Sequence, residues 1–330
     1  MSKLDQYLDA ATRDNTRRSY QSAIRHFEID WGGFLPATAD SIARYLADHA
    51  ETLSINTLRQ RLAALAQWHI DQGFPDPTKA PVVRRVLRGI QALHPAQEKR
   101  AKPLQLDLLE QVAQWLDAAV DIARAQRHRG GELRHLRNKA LLLLGFWRGF
   151  RGDELTRLRV EHVDVVPGEG MTCYFPRTKG DRHYQGTTFK APALVRLCPV
   201  EAYVAWTAAA QLAEGPVFRA IDRWGHVGEN GLHPDSLVPL LRTMLAEAGV
   251  ASADLYSAHS LRRGFANWAT ANGWDLKTLM EYVGWKNVQS AMRYVEAADP
   301  FGKRRIECSL IPATLPDAIN SSEVAGKELG

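Results

Sequence analysis

The sequence has little of what marks secreted, membrane-spanning or metal-cluster proteins. Its 330 residues include three cysteines, Cys173, Cys198 and Cys308, which lie far apart and form no CxxC pair. Such spacing argues against a disulfide framework and against a cysteine zinc site. The first ten residues lack the apolar stretch of a secretory signal, and the longest apolar run, residues 140–147, is too short to cross a bilayer. We therefore expect a soluble, cytoplasmic protein without a membrane partner.

Excess charge of one sign is also scarce, and its distribution is more informative than its amount. The formal net charge is +5 for the whole chain. Residues 1–102 hold 15 Lys and Arg against 11 Asp and Glu, whereas residues 103–330 hold 27 against 26. Because the basic excess lies in the first third, we expect that part to contact a polyanion such as nucleic acid.

Residues 1–93 are predicted to form a helical domain. Helices are expected over residues 17–27, from Asp40, from Ser54 to about Gly73, and over residues 81–93. In the third of these, apolar residues recur at helical spacing: Leu58, Leu62, Leu65 and Trp68. One stripe of this kind on each helix predicts a compact bundle.

A polar, proline-flanked stretch, residues 94–104, is predicted to be a linker to a second domain over residues 105–296. Helices are expected over residues 106–127 and 133–147. A three-stranded antiparallel sheet is then expected from residues 160–166, 172–175 and 183–189. After a glycine-rich loop over residues 225–231 the pattern is helical again. The predicted fold class is mainly α, with a small antiparallel sheet in an α+β second domain.

Six residues of this second domain have the chemistry needed to break a phosphodiester bond without a metal ion. Arginines neutralise the phosphate as it becomes pentacoordinate, a lysine protonates the leaving oxygen, and a tyrosine attacks to form a covalent intermediate. A histidine and an indole N–H add a proton acceptor and a further donor. The six are Arg151, Lys179, His259, Arg262, Trp285 and Tyr294.

Each position taken alone has an ordinary structural interpretation. Arg151 with Glu154 three residues later could be a helix-start salt bridge, and Lys179 lies in a Thr-Lys-Gly-Asp turn typical of surfaces. His259 and Arg262 stand just before a helix predicted over residues 264–272, where backbone amides favour an anion. Tyr294 alone could be amphipathic packing. The joint order of all six favours the catalytic interpretation.

Four segments carry a resemblance to the tyrosine recombinases, the phage integrase family. They are GFRGDELTRL with Arg151, PRTKGDRH with Lys179, HSLRRGFA with His259 and Arg262, and VGWKNVQSAMRYVE with Trp285 and Tyr294. NTRRSYQSAIRHF and SINTLRQRLAALAQWHI resemble, more loosely, the core-binding domain of simple, Cre-like members. The resemblance covers about residues 12–300. Trp285 stands where many members have histidine, and Cre-like members share the tryptophan.

The resemblance implies a two-domain, C-shaped clamp on DNA that recombines specific sites through a 3′-phosphotyrosyl intermediate. It places Arg151, Lys179, His259, Arg262 and Trp285 around the scissile phosphate, with Tyr294 as the nucleophile. Glu154 is expected to orient Arg151 or His259. No cofactor and no metal ion are expected. The implied partners are double-stranded DNA with inverted-repeat half-sites and three further copies of the chain, so that the protein would be nucleoid-associated when bound.

DNA contacts are expected from the first domain and from one helix of the second. Helices that begin at residues 15–16 and at Ser54 would present arginines to the duplex, and the helix after Pro234 would enter a major groove. The expected DNA-binding residues are Thr16, Arg17, Arg18, Arg59, Arg61, Arg84, Arg85 and Ser236. The final stretch, residues 297–330, is expected to dock in trans on a neighbouring copy, because it carries apolar Ile306, Leu310, Ile311 and Leu315.

Two other functions are considered for this sequence. A DNA-binding regulator could keep the scaffold without cutting, although the complete catalytic set argues against it. A type IB topoisomerase would cut in the same way, and the segment after Tyr294 disfavours it because it suits docking on another subunit.

Overall fold

The computed structural model describes residues 14–95, 101–178, 181 and 185–292, together with residues 3, 6 and 7. The chain divides into two compact units, Met1–Lys99 and Arg100–Gly330. The described elements are mostly helices, with small antiparallel sheets in the second unit, so the predicted fold class is confirmed. Lys179, Tyr294, residues 96–100 of the predicted linker and the stretch 297–330 lie outside the described residues.

The first unit is a small helical bundle. Its α-helices are α1 (Asp14–Arg25), α2 (Ala39–Asp48), α3 (Ile55–Asp71) and α4 (Pro81–Leu93), joined by a π-helical turn (His26–Asp30) and a 3₁₀ turn (Pro77–Lys79). Short polar side chains begin two of them: Thr38 accepts the Ser41 N–H and Ser54 accepts the Thr57 N–H.

The core of this bundle follows the predicted apolar stripes. Ile42, Tyr45 and Leu46 of α2 are fully buried, and Leu58 and Leu65 of α3 pack with them. Leu62 is only partly buried beside the same core. Such apolar burial is the main driving force for packing these helices together.

The second unit is built on a long buried helix. Its α-helices are α5 (Leu106–Ala125), α6 (Arg129–Trp147), α7 (Gly152–Arg157), α8 (Pro199–Ala209), α9 (Leu237–Glu247), α10 (Ala258–Ala271), α11 (Leu276–Val283) and α12 (Val288–Met292). Single 3₁₀ turns occur at Val160–His162, Pro234–Ser236 and Ala253–Leu255. Every residue from Ala140 to Trp147 is buried, which confirms the interpretation of this run as a core helix.

An antiparallel sheet in the order β1 (Val163–Val166), β2 (Gly170–Phe175), β3 (Thr187–Pro192) covers part of this core. Cys173 on the central strand is opposite Val163 on one side and Phe189 on the other. Alternate residues of β2, Met171, Cys173 and Phe175, are buried, as expected when one face of a sheet packs on a core.

Several predicted boundaries in the second unit are wrong. The first strand begins at Val163, because residues 160–162 form a 3₁₀ turn. The third strand covers 187–192 and so excludes residues 185–186, which were predicted to belong to it. The predicted loop at residues 225–231 is partly a hairpin of β4 (Arg219–Ile221) and β5 (Val227–Gly231). The Asp222 carboxylate accepts the N–H groups of Trp224 and His226, which closes the hairpin turn.

The helix that carries His259 and Arg262 begins earlier than predicted. It starts at Ala258, not at Gly264, because Ser257 and Ser260 cap it reciprocally. Ser257 Oγ accepts the His259 N–H at 3.2 Å, and Ser260 Oγ accepts the Ser257 N–H at 2.9 Å. His259 and Arg262 therefore lie on the helix itself, in its first turns.

Candidate active site

Arg151 is held at the start of a short helix that follows the buried helix α6. Gly149 has a φ of +56°, a left-handed conformation that glycine adopts without strain, and it turns the chain after α6. Arg151 is the residue that precedes α7, in extended conformation. Its side chain is 24% exposed, so the guanidinium is at the edge of the core.

Glu154 joins the two arginines of the predicted constellation. Its carboxylate is 3% exposed. One oxygen accepts from Arg151 Nη1 at 2.7 Å, and the other accepts the Arg151 backbone N–H at 2.8 Å. That second oxygen also lies 4.0 Å from Arg262 Nη1. A carboxylate in this position fixes the direction of Arg151 and offsets part of the buried positive charge.

Arg262 is almost completely buried, at 1% exposure. Its Nη1 donates to the Gly149 carbonyl oxygen at 2.5 Å, and its Nη2 donates to the Val283 carbonyl oxygen at 3.4 Å. Its guanidinium carbon lies 4.8 Å from the centroid of the Trp285 ring. Arg262 therefore contacts both the turn before Arg151 and the segment that carries Trp285.

Trp285 owes its position to the end of helix α11. Gly284 follows the helix with a φ of +75°, and a Cβ there would lie 2.8 Å from the Phe189 ring, so a larger residue would be both strained and crowded. The backbone N–H of Trp285 then donates to the Met280 carbonyl oxygen at 2.9 Å. The indole is buried at 5% exposure, against Arg262.

The remaining predicted catalytic residues are less completely described. His259 is exposed on the first turn of α10, one helical turn before Arg262. Lys179 and Tyr294 lie outside the described residues. Thr178, directly before Lys179, lines a cavity of about 300 Å³ whose wall also contains Arg151, Lys190 and Lys286. Three of the six predicted residues, Arg151, Arg262 and Trp285, are thus brought together with Glu154 beside a cationic cavity.

Arg148, which the sequence-based prediction missed, lies beside these residues. It is 2% exposed and lines the same cavity as Arg151. Its Nη2 donates to the Tyr282 carbonyl oxygen, and its guanidinium carbon lies 3.8 Å from the centroid of the Tyr282 ring. The available signal was a charged residue at the end of the apolar run 140–147, where a core helix would normally continue with an apolar side chain.

The arginines predicted to bind DNA in the first unit have mixed surroundings. Arg18, Arg84 and Arg85 are exposed. Arg17 forms an ion pair with Asp14, and Arg59 Nη2 donates to Gln91 Oε1 at 2.9 Å. Thr16, at the start of α1, is half-buried, and Ser236 in the second unit is exposed just before α9.

Arg61 differs from the others, because it lies against a cluster of aromatic and histidine side chains. Its Nε and Nη1 are shielded from solvent. In this cluster His26 Nδ1 lies 2.9 Å from the Tyr45 hydroxyl, and the His26 and His49 rings are 4.8 Å apart. Burial, helped by the positive charge of Arg61, lowers the pKa of His26, and burial raises the pKa of Tyr45.

Within the described part of the chain, no helix is both long enough and apolar enough to cross a membrane.

Comparison with known proteins identifies the family of the chain. A family model described as "Phage integrase family" matches residues 120–300, more than half of the sequence. The chain belongs to the phage integrase family. This result confirms the resemblance to the tyrosine recombinases, and membership supports site-specific recombination as the activity of the chain.

Individual relatives of this family member agree with that assignment. It is 28% identical over 309 residues to an integrase/recombinase xerD homolog of Selenomonas ruminantium, covering 91% of this chain and 86% of the relative. It is 25% identical over 283 residues to the recombinase cre of Escherichia phage P1, covering 81% and 78% of the two chains. A crystal structure of the XerH site-specific recombinase bound to palindromic difH substrate, a post-cleavage complex, matches with a TM-score of 0.60 at 17% identity, covering 88% of this chain and 78% of that one.

Proposed function

We propose that this integrase-family member is a site-specific DNA recombinase that cuts and rejoins strands through a 3′-phosphotyrosyl intermediate at Tyr294. The observation that carries the proposal is the convergence of Arg151 and Arg262 on the buried carboxylate of Glu154, with Trp285 against Arg262. Fixed donors of this kind are suited to stabilising charge that develops on a phosphate.

The proposed step is a transesterification in which one ester bond replaces another. The Tyr294 phenolate oxygen attacks phosphorus, a tyrosyl P–O bond forms, and the P–O bond to the 5′ oxygen breaks. Lys179 donates the proton that the leaving 5′ oxygen takes up. Rejoining reverses these events, with a 5′ hydroxyl from the partner strand as the nucleophile, so that no energy source is consumed.

The other residues of the site act on the phosphate or on the nucleophile. An unperturbed tyrosine has a pKa of about 10, and the nearby arginines favour its ionised form. His259 accepts the tyrosine proton or donates to a non-bridging oxygen, and either role fits its place on an exposed first helical turn. Trp285 supplies an indole N–H and packing but cannot carry a proton between groups.

We also propose that the reaction needs no metal ion, because the guanidinium and ammonium groups supply the positive charge that a metal would otherwise bring. Recombination by the purified chain should proceed at an unchanged rate in excess EDTA. A loss of activity in EDTA that added Mg²⁺ restores would refute this part of the proposal.

The proposed partners follow from the same assignment. Residues 1–93 would bind DNA as a core-binding domain, with residues 94–104 as the linker and residues 105–296 as the catalytic domain. The DNA would carry inverted-repeat half-sites, and four copies of the chain would act on paired sites, each contributing residues 297–330 to a neighbour in trans. Support comes from the basic excess of the first third and from the exposure of Arg18, Arg84 and Arg85.

The decisive experiment is a denaturing gel with a suicide substrate that traps the cleaved strand. The unmodified chain should form a covalent protein–DNA adduct. Tyr294→Phe should form none while it binds a half-site with unchanged affinity, because only the nucleophilic oxygen is removed. Adduct from Tyr294→Phe would disprove the assignment of the nucleophile, and no adduct from the unmodified chain would favour the regulator. Relaxed but never recombined DNA would favour the topoisomerase.

A further inference from the structure

Arg148 is a buried cation to which the proposed chemistry gives no task. It follows the last residue of helix α6 and is 2% exposed. Its guanidinium carbon lies 3.8 Å from the centroid of the Tyr282 ring, 5.2 Å from that of Phe189 and 5.9 Å from that of Phe150. Three aromatic rings therefore surround one charged group.

Arg148 has poor electrostatic compensation for a group so deeply buried. In the part of the chain that the structure describes, no carboxylate lies within ion-pair distance of it, and its Nε has no hydrogen-bond partner. Cys173 is a nearby acidic group, but burial raises the pKa of its thiol to about 12, so the thiol is neutral at pH 7. An apolar side chain at this place would avoid the cost of desolvating a cation. Stability alone therefore does not account for an arginine here.

The contacts of Arg148 and Arg262 join the same two segments of the chain, the turn at residues 148–151 and the segment 282–285. Arg262 reaches from helix α10 to the Gly149 carbonyl oxygen at 2.5 Å and to the Val283 carbonyl oxygen at 3.4 Å. Arg148 reaches from the turn at residues 148–151 to the Tyr282 carbonyl oxygen. The turn that presents Arg151 is thereby tied to the segment 282–285 that presents Trp285.

We propose that Arg148 is a positioning residue for DNA strand cleavage, which it serves by fixing the turn of Arg151 against the segment of Trp285. The inference rests on the proposed function and adds a residue to it. Arg148 acts through its bond to the Tyr282 carbonyl and its stacking on the Tyr282 ring, and it lines the same cavity as Arg151. The donors around the phosphate then have one relative arrangement before the substrate arrives, which is worth most in the chemical step.

The first test separates binding from cleavage. Arg148→Met fills a similar volume without charge or donor, and it should lower the single-turnover cleavage rate on a suicide substrate by about 10- to 100-fold, the scale expected for a small misplacement of reacting groups. Half-site affinity should stay within about twofold of the unmodified chain. Arg148→Lys, which keeps the charge but not the planar fork, should recover part of the rate. Arg223→Met is the matched control, because Arg223 also stacks on an aromatic ring, Trp224, but in the exposed β4–β5 hairpin.

The second test asks whether Arg148 acts through the Trp285 segment. Trp285→Phe is combined with Arg148→Met, and the cleavage rates of the four proteins form a double-mutant cycle. If Arg148 positions that segment, the double variant should lose clearly less than the product of the two single losses. Independent, multiplicative losses are the result expected of a general packing defect, and they would overturn the proposal.

The remaining outcomes are also decisive. Cleavage by Arg148→Met at the unmodified rate overturns the inference and leaves the proposed function intact. No adduct from the unmodified chain overturns both. If Arg148→Met is unfolded by circular dichroism, Tyr282→Leu takes its place, because it removes the stacked ring and keeps the charge. Tyr282→Leu should then bind normally and cleave at least about tenfold more slowly, and an unchanged rate would refute the proposal.

Discussion

The arginines of the two units differ in how they are held. In the second unit Arg148 and Arg262 are buried, and each donates to backbone carbonyls, while Arg151 is fixed by a buried carboxylate. In the first unit Arg18 and Arg84 are exposed on helix surfaces. A fixed, desolvated cation is suited to a transition state, whereas an exposed one is suited to a phosphate backbone whose exact position varies. The comparison predicts that substitutions of the second unit's arginines lower the cleavage rate, whereas substitutions of the first unit's exposed arginines weaken DNA binding.

The largest effect should come from Arg262. Arg262→Ala removes a fixed charge and two carbonyl contacts, so the single-turnover cleavage rate should fall by at least ~10²–10³-fold. Half-site binding, measured by gel shift, should change little. A variant that cleaves normally but binds weakly would break the comparison, because Arg262 would then behave like a surface arginine.

Glu154 should give the next largest effect. Glu154→Gln keeps the shape and one acceptor but removes the negative charge between Arg151 and Arg262, so the hydrogen bond from the Arg151 guanidinium goes to a neutral amide oxygen instead of a carboxylate. The free energy of unfolding should fall by about 1–3 kcal/mol and cleavage by roughly tenfold. Chemical denaturation and single-turnover kinetics on the same protein measure the two effects. An unchanged stability with unchanged cleavage would show that the carboxylate is not needed to hold the pair.

The exposed arginines should affect binding rather than chemistry. Arg84→Ala and Arg85→Ala should each weaken half-site binding on any sequence, and each should reduce the slope of log affinity against log salt by about 0.9 for one lost phosphate contact. The covalent step, measured at saturating protein, should be unaffected. Arg44→Ala is the matched control, since Arg44 is exposed in the same unit but paired with Asp40. A sequence-dependent loss with an unchanged salt slope would instead indicate base contacts.

The smallest effect should come from His26, which lies beside Arg61. Arg61 resembles the arginines of the second unit in that its Nε and Nη1 are shielded from solvent. Burial, then Arg61 and His49, lower the pKa of the neighbouring His26, while Asp30 opposes them; Tyr45 also contacts the ring. Because the folded pKa lies below the unfolded value of 6.5, the unfolded chain takes up the proton first. The contribution of neutral His26 to the free energy of unfolding is therefore fully present above pH 6.5, and it is lost as the pH falls toward the folded pKa. The melting temperature should differ less between pH 7.5 and pH 5.5 for His26→Gln than for the unmodified chain. Equal differences would exclude His26 as a source of the pH dependence.

Local chemistry made much of this structure predictable. The apolar stripe of α2 and the run at residues 140–147 were correctly predicted as core, because helical spacing directly reports the buried face. The joint presence of Arg151, Glu154, Arg262 and Trp285 was predicted as one site, and the structure brings these side chains together. Their roles in catalysis stay predictions.

What was missed depends on contacts between distant parts of the chain or on competing caps. The helix of Arg262 begins at Ala258 because Ser257 and Ser260 satisfy each other's backbone groups. The prediction instead placed the start of the helix at Gly264. In the sequence Arg148 marks only the end of a helix. Its partners, Tyr282 and Phe189, come much later in the chain, so their contact could not be predicted from local spacing. Arg61 is partly buried, which its spacing on α3 did not reveal, and its contact with DNA stays a prediction.

The sharing of Glu154 limits how the site can change in evolution or in directed evolution. Replacing Arg151 first leaves a carboxylate of 3% exposure whose remaining ion-pair partner among the described residues is Arg262, 4.0 Å away. Replacing Glu154 first leaves neighbouring guanidinium groups without the anion between them. Each single variant is therefore expected to be impaired, so the effects of substitutions at Arg151, Glu154 and Arg262 depend on one another. A library that varies them together should recover active alternatives that stepwise selection would miss.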